Sequence, residues 1–399
     1  MTQEIENKNC LTYLRSLEAD SVDSIVTDPP YGLGFMGRQW DSLPPGQEVF
    51  EECLRVLKPG GHLLAFGGSR TYHRLAVAVE DAGFEIRDMI AWVYGSGFPK
   101  SHNIGKAVDK LQGNDREVVG KSPHFDKYNT DKYVKSNAVE YVGRKTKEEV
   151  GYLTKGNSEW EGWGTALKPA HEPIVMARKP LEKGLTIAQN VQKWGTGGIN
   201  IDACRVDSND ARPLIESKSE PTNNAYGNGL NGSKSNGTTT QGRFPANLIH
   251  DGSNEVVSLF PNSGGGKRVV GGTPRKTEGH IATGSPDRSN AVMNIGDSGS
   301  ASRFFYCAKA SKKDRTEHGR VNNNHPTVKP TDLMQYLIRL VTPEGGTTLD
   351  PFAGSGTTAK AAYREGIHFK GCDQDAESVE IAKERLKAVK QDHSSLASG

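Results

Sequence analysis

The sequence predicts an α/β protein with a doubly wound sheet. Three observations carry this: strands and helices alternate at both ends of the chain, a motif-bearing turn follows a short apolar strand in each end, and the middle is rich in glycine and serine. Neither end, about residues 1–100 and 324–399, is long enough for such a sheet alone. Both are expected to build one sheet, with residues 101–323 projecting from it as a large loop-rich insert.

Ser24-Ile25-Val26-Thr27 is a β-branched run that stops at Asp28-Pro29-Pro30, where two prolines cannot continue a central strand. From about Gly46, Val49, Phe50, Cys53, Leu54 and Leu57 fall at helical spacing, and Lys58-Pro59-Gly60-Gly61 breaks that helix. His62 to Phe66 reads as a strand closed by Gly67-Gly68. A helix follows from about Arg70 to Ala82, ended by Gly83, and Phe84 to Trp92 contains the next strand. This order implies parallel pairing.

Between about Gly95 and Arg320 periodic segments are few. Residues 217–242 and 262–300, rich in Ser, Asn, Gly and turn formers, are expected to be mobile loops. Three apolar islands, Pro173-Ile174-Val175-Met176, Ala246-Asn247-Leu248-Ile249 and Arg303-Phe304-Phe305-Tyr306, either pack back on the sheet or form a small second domain. The α/β pattern returns with a helix carrying Leu333, Met334, Leu337, Ile338 and Val341. Thr347 to Phe352 is a strand, Gly354-Ser355-Gly356 a turn, about Thr357 to Arg364 a helix, and Phe369 to Cys372 the next strand. Asp375 is placed to cap a last helix with Val379, Ala382, Leu386 and Val389 on one face.

With 399 residues, 50 Lys+Arg and 48 Asp+Glu, the net charge of +2 neither demands nor excludes a nucleic-acid partner. No apolar run reaches the length of a membrane span, and the acidic start lacks the features of a signal peptide. The five cysteines are scattered without a CxxC pair, so neither a metal site nor a disulfide framework is indicated, and a reducing cytoplasmic setting is expected.

Asp350-Pro351-Phe352-Ala353-Gly354-Ser355-Gly356-Thr357 joins a strand to a helix, and Asp373 ends the following strand. Glycines there let a ligand approach the backbone, and an acid at that position can accept from ribose hydroxyls. The GxGxxG of a dinucleotide site is incomplete and no Gly-Lys-Ser/Thr follows, so a nucleoside-bearing ligand without a pyrophosphate fits better. Thr27-Asp28-Pro29-Pro30-Tyr31 offers a second chemistry. The exocyclic amine of adenine or cytosine is a poor nucleophile. A carboxylate at Asp28 accepting one N–H, with the Pro29 carbonyl accepting the other, favours a more tetrahedral nitrogen, which can attack a sulfonium methyl in line. Pro29 and Pro30 stiffen the loop, and Tyr31 supplies a stacking face for a flipped base.

At these residues the chain resembles the DNA amino-methyltransferases that act on adenine N6 or cytosine N4. The resemblance rests on Asp28-Pro29-Pro30-Tyr31, Phe352-Ala353-Gly354-Ser355-Gly356 and His325-Pro326-Thr327-Val328-Lys329-Pro330, and covers about residues 1–100 and 324–391. The catalytic motif precedes the cofactor motif, as in the family's beta group, where the long intervening segment recognises the target. The resemblance implies a Rossmann-like S-adenosylmethionine methyltransferase sheet and S-adenosyl-L-methionine as cofactor. It implies double-stranded DNA as substrate and adenine N6 as the methylated amine, since aspartate is common at that motif position among adenine-specific relatives and serine among cytosine-N4 ones. Asp28, Pro29, Pro30 and Tyr31 would hold the base. Asp350, Phe352, Gly354, Ser355 and Gly356 would line the cofactor turn, with Asp28 bordering it, and Asp373 would bind the ribose. His325, Thr327 and Lys329 would sit near the methionine part. Many relatives carry Gly-Asp where this chain has Lys8-Asn9-Cys10, and Asn9 would take over the contact to the cofactor adenine.

Arg303, Lys309, Lys312, Lys313, Arg315 and Arg320, interleaved with Phe304, Phe305 and Tyr306, form either a phosphate-contacting stretch or a solvated charged loop. Lys267-Arg268 and Arg275-Lys276 are further candidates, and Trp160, Trp163 and Trp194 read as local packing. Cytosine N4 is the nearest competing target. An RNA or protein-amide substrate and a non-catalytic DNA-binding role are more distant readings. The reading also leaves room for a homodimer and for a restriction endonuclease as a separate chain.

Overall fold

The computed structural model describes residues 1–33, 43–97, 101–121, 152–207, 212–216, 234–239, 241–263, 266–270, 291–295, 299–308, 312–323, 325 and 327–397. Of the expected loops over 217–242 and 262–300, residues 217–233 and 271–290 lie outside the described residues, whereas Lys234–Thr239, Gly266–Val270 and Ala291–Ile295 are strands in antiparallel pairs and not loops. Lys309 and Pro326 also lie outside the described residues, as do Arg275-Lys276. Two units divide the chain: residues 1–95 with 171–399, and residues 96–170.

The first unit holds a nine-stranded sheet. Its strands are β1 (Gln3–Asn7), β2 (Val22–Thr27), β3 (Leu57–Phe66), β4 (Glu85–Val93), β5 (His171–Arg178), β6 (Leu248–His250), β7 (Tyr306–Cys307), β8 (Thr347–Asp350) and β9 (His368–Asp373). Their order is β1-β9-β8-β2-β3-β5-β4-β6-β7. Strands from both ends of the chain meet at its centre, where Leu349 of β8 pairs in parallel with Ile25 of β2. β5 departs from the expected parallel pairing: it lies between β3 and β4 and is antiparallel to both. β5 follows β4 in the sheet after residues 96–170, and antiparallel neighbours need no crossover connection between them. All three apolar islands pack back on this unit. Ile174, Val175 and Met176 lie in β5, Leu248 and Ile249 in β6, and Tyr306 in β7.

Alternation along the strands sorts the core into two layers. Val26, Leu64, Phe66, Ile90, Trp92, Ile174, Met176 and Ile249 share one cluster with helix α5 (Thr331–Val341) and helix α6 (Thr357–Arg364). Ile25, Leu63, Ala65, Val175, Ala177 and Leu349 face the other way, toward helices α1 (Cys10–Ser16), α2 (Gln47–Val56) and α3 (Tyr72–Asp81). Helix α2 ends at Val56, but Lys58-Pro59-Gly60-Gly61 is not a loop: it opens β3. The Pro59 carbonyl accepts from Asn190 Nδ2 (2.8 Å) and Thr196 Oγ1 (2.6 Å), beside helix α4 (Ile187–Trp194). Asp375 caps the last helix, α7 (Ala376–Ala397), accepting from the Ser378 amide.

The second unit contains helix Ile104–Gln112, capped by Asn103, and the antiparallel pair Glu117–Lys121 with Tyr152–Lys155. Trp160 and Trp163 pack edge to face there at 5.1 Å.

Asp350 ties the centre of the sheet together. Its carboxylate accepts from Thr27 Oγ1 (2.6 Å), Thr358 Oγ1 (2.6 Å) and the Phe352 amide (3.0 Å). Burial raises its pKa from 3.8 to about 6, against the pull of those hydrogen bonds. The folded state therefore binds this proton more tightly than the unfolded chain. The stability it lends is present at low pH and is lost as pH rises through about 6. Urea unfolding of the wild type and Asp350→Asn between pH 4.5 and pH 7 is expected to show a wild-type advantage that shrinks as pH rises. A pH-independent difference contradicts this.

Candidate active site

The carboxyl ends of β8 and β2, neighbours at the centre of the sheet, carry the two motifs. Asp28 follows β2 directly, and Asp350, the last residue of β8, holds the hydroxyl of Thr27 just before it. Such carboxyl ends are where open α/β sheets bind ligands.

Around Asp28 the structure gathers three polar side chains. The Tyr31 hydroxyl lies 2.9 Å from Asp28 Oδ1 and 2.8 Å from Glu172 Oε2. Lys329 Nζ donates to Asp28 Oδ2 (2.7 Å) and Tyr31 Oη (3.1 Å), and lies 3.1 Å from Glu172 Oε2. Side-chain exposure is 9% for Lys329, 19% for Asp28 and 17% for Glu172, so little water screens the cluster. Burial raises the Asp28 carboxyl above the usual carboxylate range, Lys329 pulls it down, and Glu172 adds to the rise. Burial works against the Lys329 ammonium, yet Asp28 and Glu172 hold its pKa above the ordinary lysine value. Burial, then Asp28 and Glu172, push the Tyr31 phenol well up.

Aromatic rings lie beside this cluster. Lys329 Nζ stands 5.0 Å from the Phe66 ring centroid and 5.3 Å from that of Tyr31. Phe66 meets Trp92 edge to face at 6.4 Å, and Trp92 lies 4.8 Å from Tyr94. Trp92 Nε1 is buried without a hydrogen-bond partner among the described residues. Pro29 is buried and Pro30 half-buried, which fixes the loop beneath.

The second motif forms a tight turn. Gly354 and Gly356 take φ of +49° and +78°, and a Cβ on Gly356 would fall 2.6 Å from Ala382 Cβ. Asp373, half-buried at the end of β9, accepts from the Gly354 amide (2.8 Å) and the Asp375 amide (2.9 Å). Burial raises its pKa, opposed by these two amides. His325 lies across the turn: a Cβ on Gly354 would come 3.5 Å from its ring, and its Nδ1 is buried without a partner among the described residues. Burial lowers its pKa, keeping the ring neutral. A cradle closed by glycines, a carboxylate with acceptor capacity left and an unpaired imidazole nitrogen fit a ligand bearing hydroxyl groups.

Not every residue read from the sequence stands where expected. Lys329 faces Asp28 and not the glycine turn. Asp350 is only 1% exposed and its carboxylate is bonded inward. Ser355 is buried, its carbonyl accepting from Arg385 Nη1 (2.7 Å). Asn9 caps α1, its Oδ1 accepting from the Leu11 amide (3.0 Å), while Thr327 is exposed and Phe352 half-buried. Glu172 was missed. Its signal was parity: it precedes the buried run of β5 in step with Ile174 and Met176.

The basic stretch is largely tied to the protein itself. Arg303 Nη1 donates to the Gly299 carbonyl (2.6 Å), and Arg315 bonds the carbonyls of Asn323 (3.2 Å) and His325. Arg320 pairs with Asp392 at 2.6 Å. Trp194 Nε1 is likewise bonded, to Glu182. No helix among the described residues is long and apolar enough to cross a membrane, and no metal-binding cluster is present among them.

Comparison with known proteins identifies the family. The DNA methylase family of N6/N4 methyltransferases matches residues 22–384. The type II methyltransferase M.HindIII of Haemophilus influenzae is 22% identical over 426 residues, covering 96% of this chain and 94% of its own. M.HpaI of Haemophilus parainfluenzae, also a type II methyltransferase, is 34% identical over 119 residues, covering 28% of this chain and 38% of its own. Among solved structures, the M1.HpyAVI–SAM complex aligns over 97% of this chain and 99% of its own, at 15% identity and a TM-score of 0.40. From the match over residues 22–384, the chain belongs to the N6/N4 DNA methylase family, the S-adenosylmethionine-dependent DNA methyltransferases.

Proposed function

We propose that the chain methylates the exocyclic N6 amine of an adenine turned out of double-stranded DNA at a specific site. The observation that carries this reading is the Asp28 carboxylate at the carboxyl end of β2, bonded to Tyr31 and to Lys329, whose ammonium lies 5.0 Å from the Phe66 ring. Asp28 accepts one N–H of the amine and the Pro29 carbonyl the other, which localises the nitrogen lone pair. The buried aromatic side chains exclude water, and Tyr31 offers the stacking face for the flipped base. S-adenosylmethionine, when bound, supplies an electrophilic sulfonium methyl. Asp373 accepts from its ribose hydroxyls, the Phe352–Gly356 turn leaves room for it, and His325 and Thr327 border its methionine end. Asn9 stands near its adenine. Lys329 acts on Asp28, keeping the carboxylate available as an anion. Aspartate rather than serine at position 28 supports adenine over cytosine. Target recognition falls to the insert, residues 101–323, apart from the strands it lends to the sheet.

Unmethylated DNA treated with the protein and isotope-labelled S-adenosylmethionine is expected to yield labelled N6-methyladenine on nucleoside mass spectrometry. Label in N4-methylcytosine overturns the adenine assignment, and no label in DNA overturns the substrate.

The residue roles separate in a second experiment. Asp28→Ala and Lys329→Met are expected to leave the S-adenosylmethionine Kd within a few-fold of wild type and to slow methyl transfer by on the order of a hundred-fold or more. Asp373→Ala is expected to weaken that Kd by about ten-fold or more. A large Kd loss in Lys329→Met would return that lysine to the methionine carboxylate.

A further inference from the structure

Both oxygens of the Asp28 carboxylate are already engaged. Oδ1 lies 2.9 Å from the Tyr31 hydroxyl, and Oδ2 takes Lys329 Nζ at 2.7 Å. Each oxygen keeps a second lone pair, so an amine that donates to Oδ1 either shares that oxygen with the Tyr31 hydroxyl or takes its place. Both donors share one other acceptor atom, Glu172 Oε2, at 2.8 Å from the hydroxyl and 3.1 Å from the ammonium. A hydroxyl carries a single proton, so Tyr31 donates to Asp28 or to Glu172 at any moment. Lys329 spends all three of its N–H groups, on Asp28, Glu172 and Tyr31, and cannot swing away without loss.

Glu172 is well placed for an exchange. Its strand is paired on both sides, with Trp92 opposite Glu172 in β4 and Phe66 opposite Ile174 in β3. A carboxylate on a doubly paired strand is held in place before any ligand arrives. The partly buried setting offers few waters to replace it as acceptor.

We propose that Glu172 is a positioning residue: it receives the Tyr31 hydroxyl, and keeps hold of the Lys329 ammonium, when the target amine takes Asp28 Oδ1. The proposal rests on the reading of Asp28 as acceptor for the amine. No covalent bond changes. One hydrogen bond moves from Asp28 to Glu172, and the vacated lone pair receives the amine N–H. Glu172 also acts on Asp28 through space. The ionisable groups around Glu172 are Asp28, Tyr31, Lys329 and Tyr94, and Asp350 and His325 act on Asp28 from the cofactor side. After burial and Lys329, the like charge of Glu172 is the next influence on Asp28 and raises its pKa. Removing that charge lowers the Asp28 pKa, so the acid limb of the activity profile moves to lower pH.

The test compares Glu172→Gln and Glu172→Asp with wild type, with Asp28→Asn as reference. S-adenosylmethionine Kd, kcat, KM for DNA and the pH profile of kcat are read for each. Glu172→Gln is expected to bind S-adenosylmethionine as wild type does and to lose kcat by about ten- to a hundred-fold, the worth of a hydrogen bond to a charged group. Its acid limb should move to lower pH, and Glu172→Asp should recover part of the kcat. A wild-type kcat and acid limb in Glu172→Gln overturn the proposal. So does a kcat loss with an unmoved limb and no recovery by aspartate, which marks a packing role, as does loss of S-adenosylmethionine binding in both variants. An active Asp28→Asn instead overturns the reading of Asp28 itself.

Discussion

The ion pair between Lys329 and Asp28 joins residues 301 positions apart, and the rest of the site is arranged around it. Taking both charges out of water costs several kcal/mol per ion before their attraction is counted. Such a pair contributes little net stability, but it penalises every arrangement that leaves either charge alone. It requires the loop before α5 to lie against the carboxyl end of β2. With Tyr31 and Glu172 it gathers side chains from the first hundred residues, the middle and the last seventy-five into one polar cluster. The two ends of the sequence meet at a charge and not only at a sheet edge.

A second ionic network supports the glycine turn from behind. Lys360 and Arg385 are fully buried, and both bond the buried carboxylate of Glu317, Lys360 at 2.7 Å and Arg385 at 3.1 Å. Arg385 also holds the Ser355 carbonyl and, at 3.0 Å, the Thr357 hydroxyl. Asp314 bonds Lys360 (2.7 Å) through one oxygen and the Thr331 amide at the start of α5 (2.9 Å) through the other. The glycine turn and the segment that delivers Lys329 are thus braced by the same charged residues. Arg315 and Arg320, read from sequence as either phosphate contacts or part of a solvated charged loop, bond the Asn323 and His325 carbonyls and Asp392 of α7, respectively.

Local pattern made much of this legible. β2, α2, α3, α6 and α7 follow from β-branched runs, helical spacing, glycine stops and the Asp375 cap, because each signal is complete within a few residues. β1 was not read, since Gln3–Asn7 offers one apolar residue, Ile5, and gains its place by pairing with β9. The antiparallel direction of β5 was hidden for the same reason: pairing is set by a partner distant in sequence. Asp28, Tyr31, Gly354, Gly356 and Asp373 could be singled out as candidates because they fall in turns after strands. The partnership of Lys329 with Asp28, and Glu172 altogether, could not. Both depend on which side chains the register brings together across strands, which spacing along the chain does not encode.

The claim that the Asp28–Lys329 pair acts as one buried unit is tested most directly by a double-mutant cycle on unfolding free energy, using Asp28→Asn, Lys329→Met and the two combined. Lys329→Met leaves the Asp28 and Glu172 carboxylates without a counter-charge, and adding Asp28→Asn relieves part of that cost. The double variant is therefore predicted to be less destabilised than the sum of the singles by more than about 1 kcal/mol. Additivity within about 0.5 kcal/mol would contradict the account, leaving the two residues as independent neighbours.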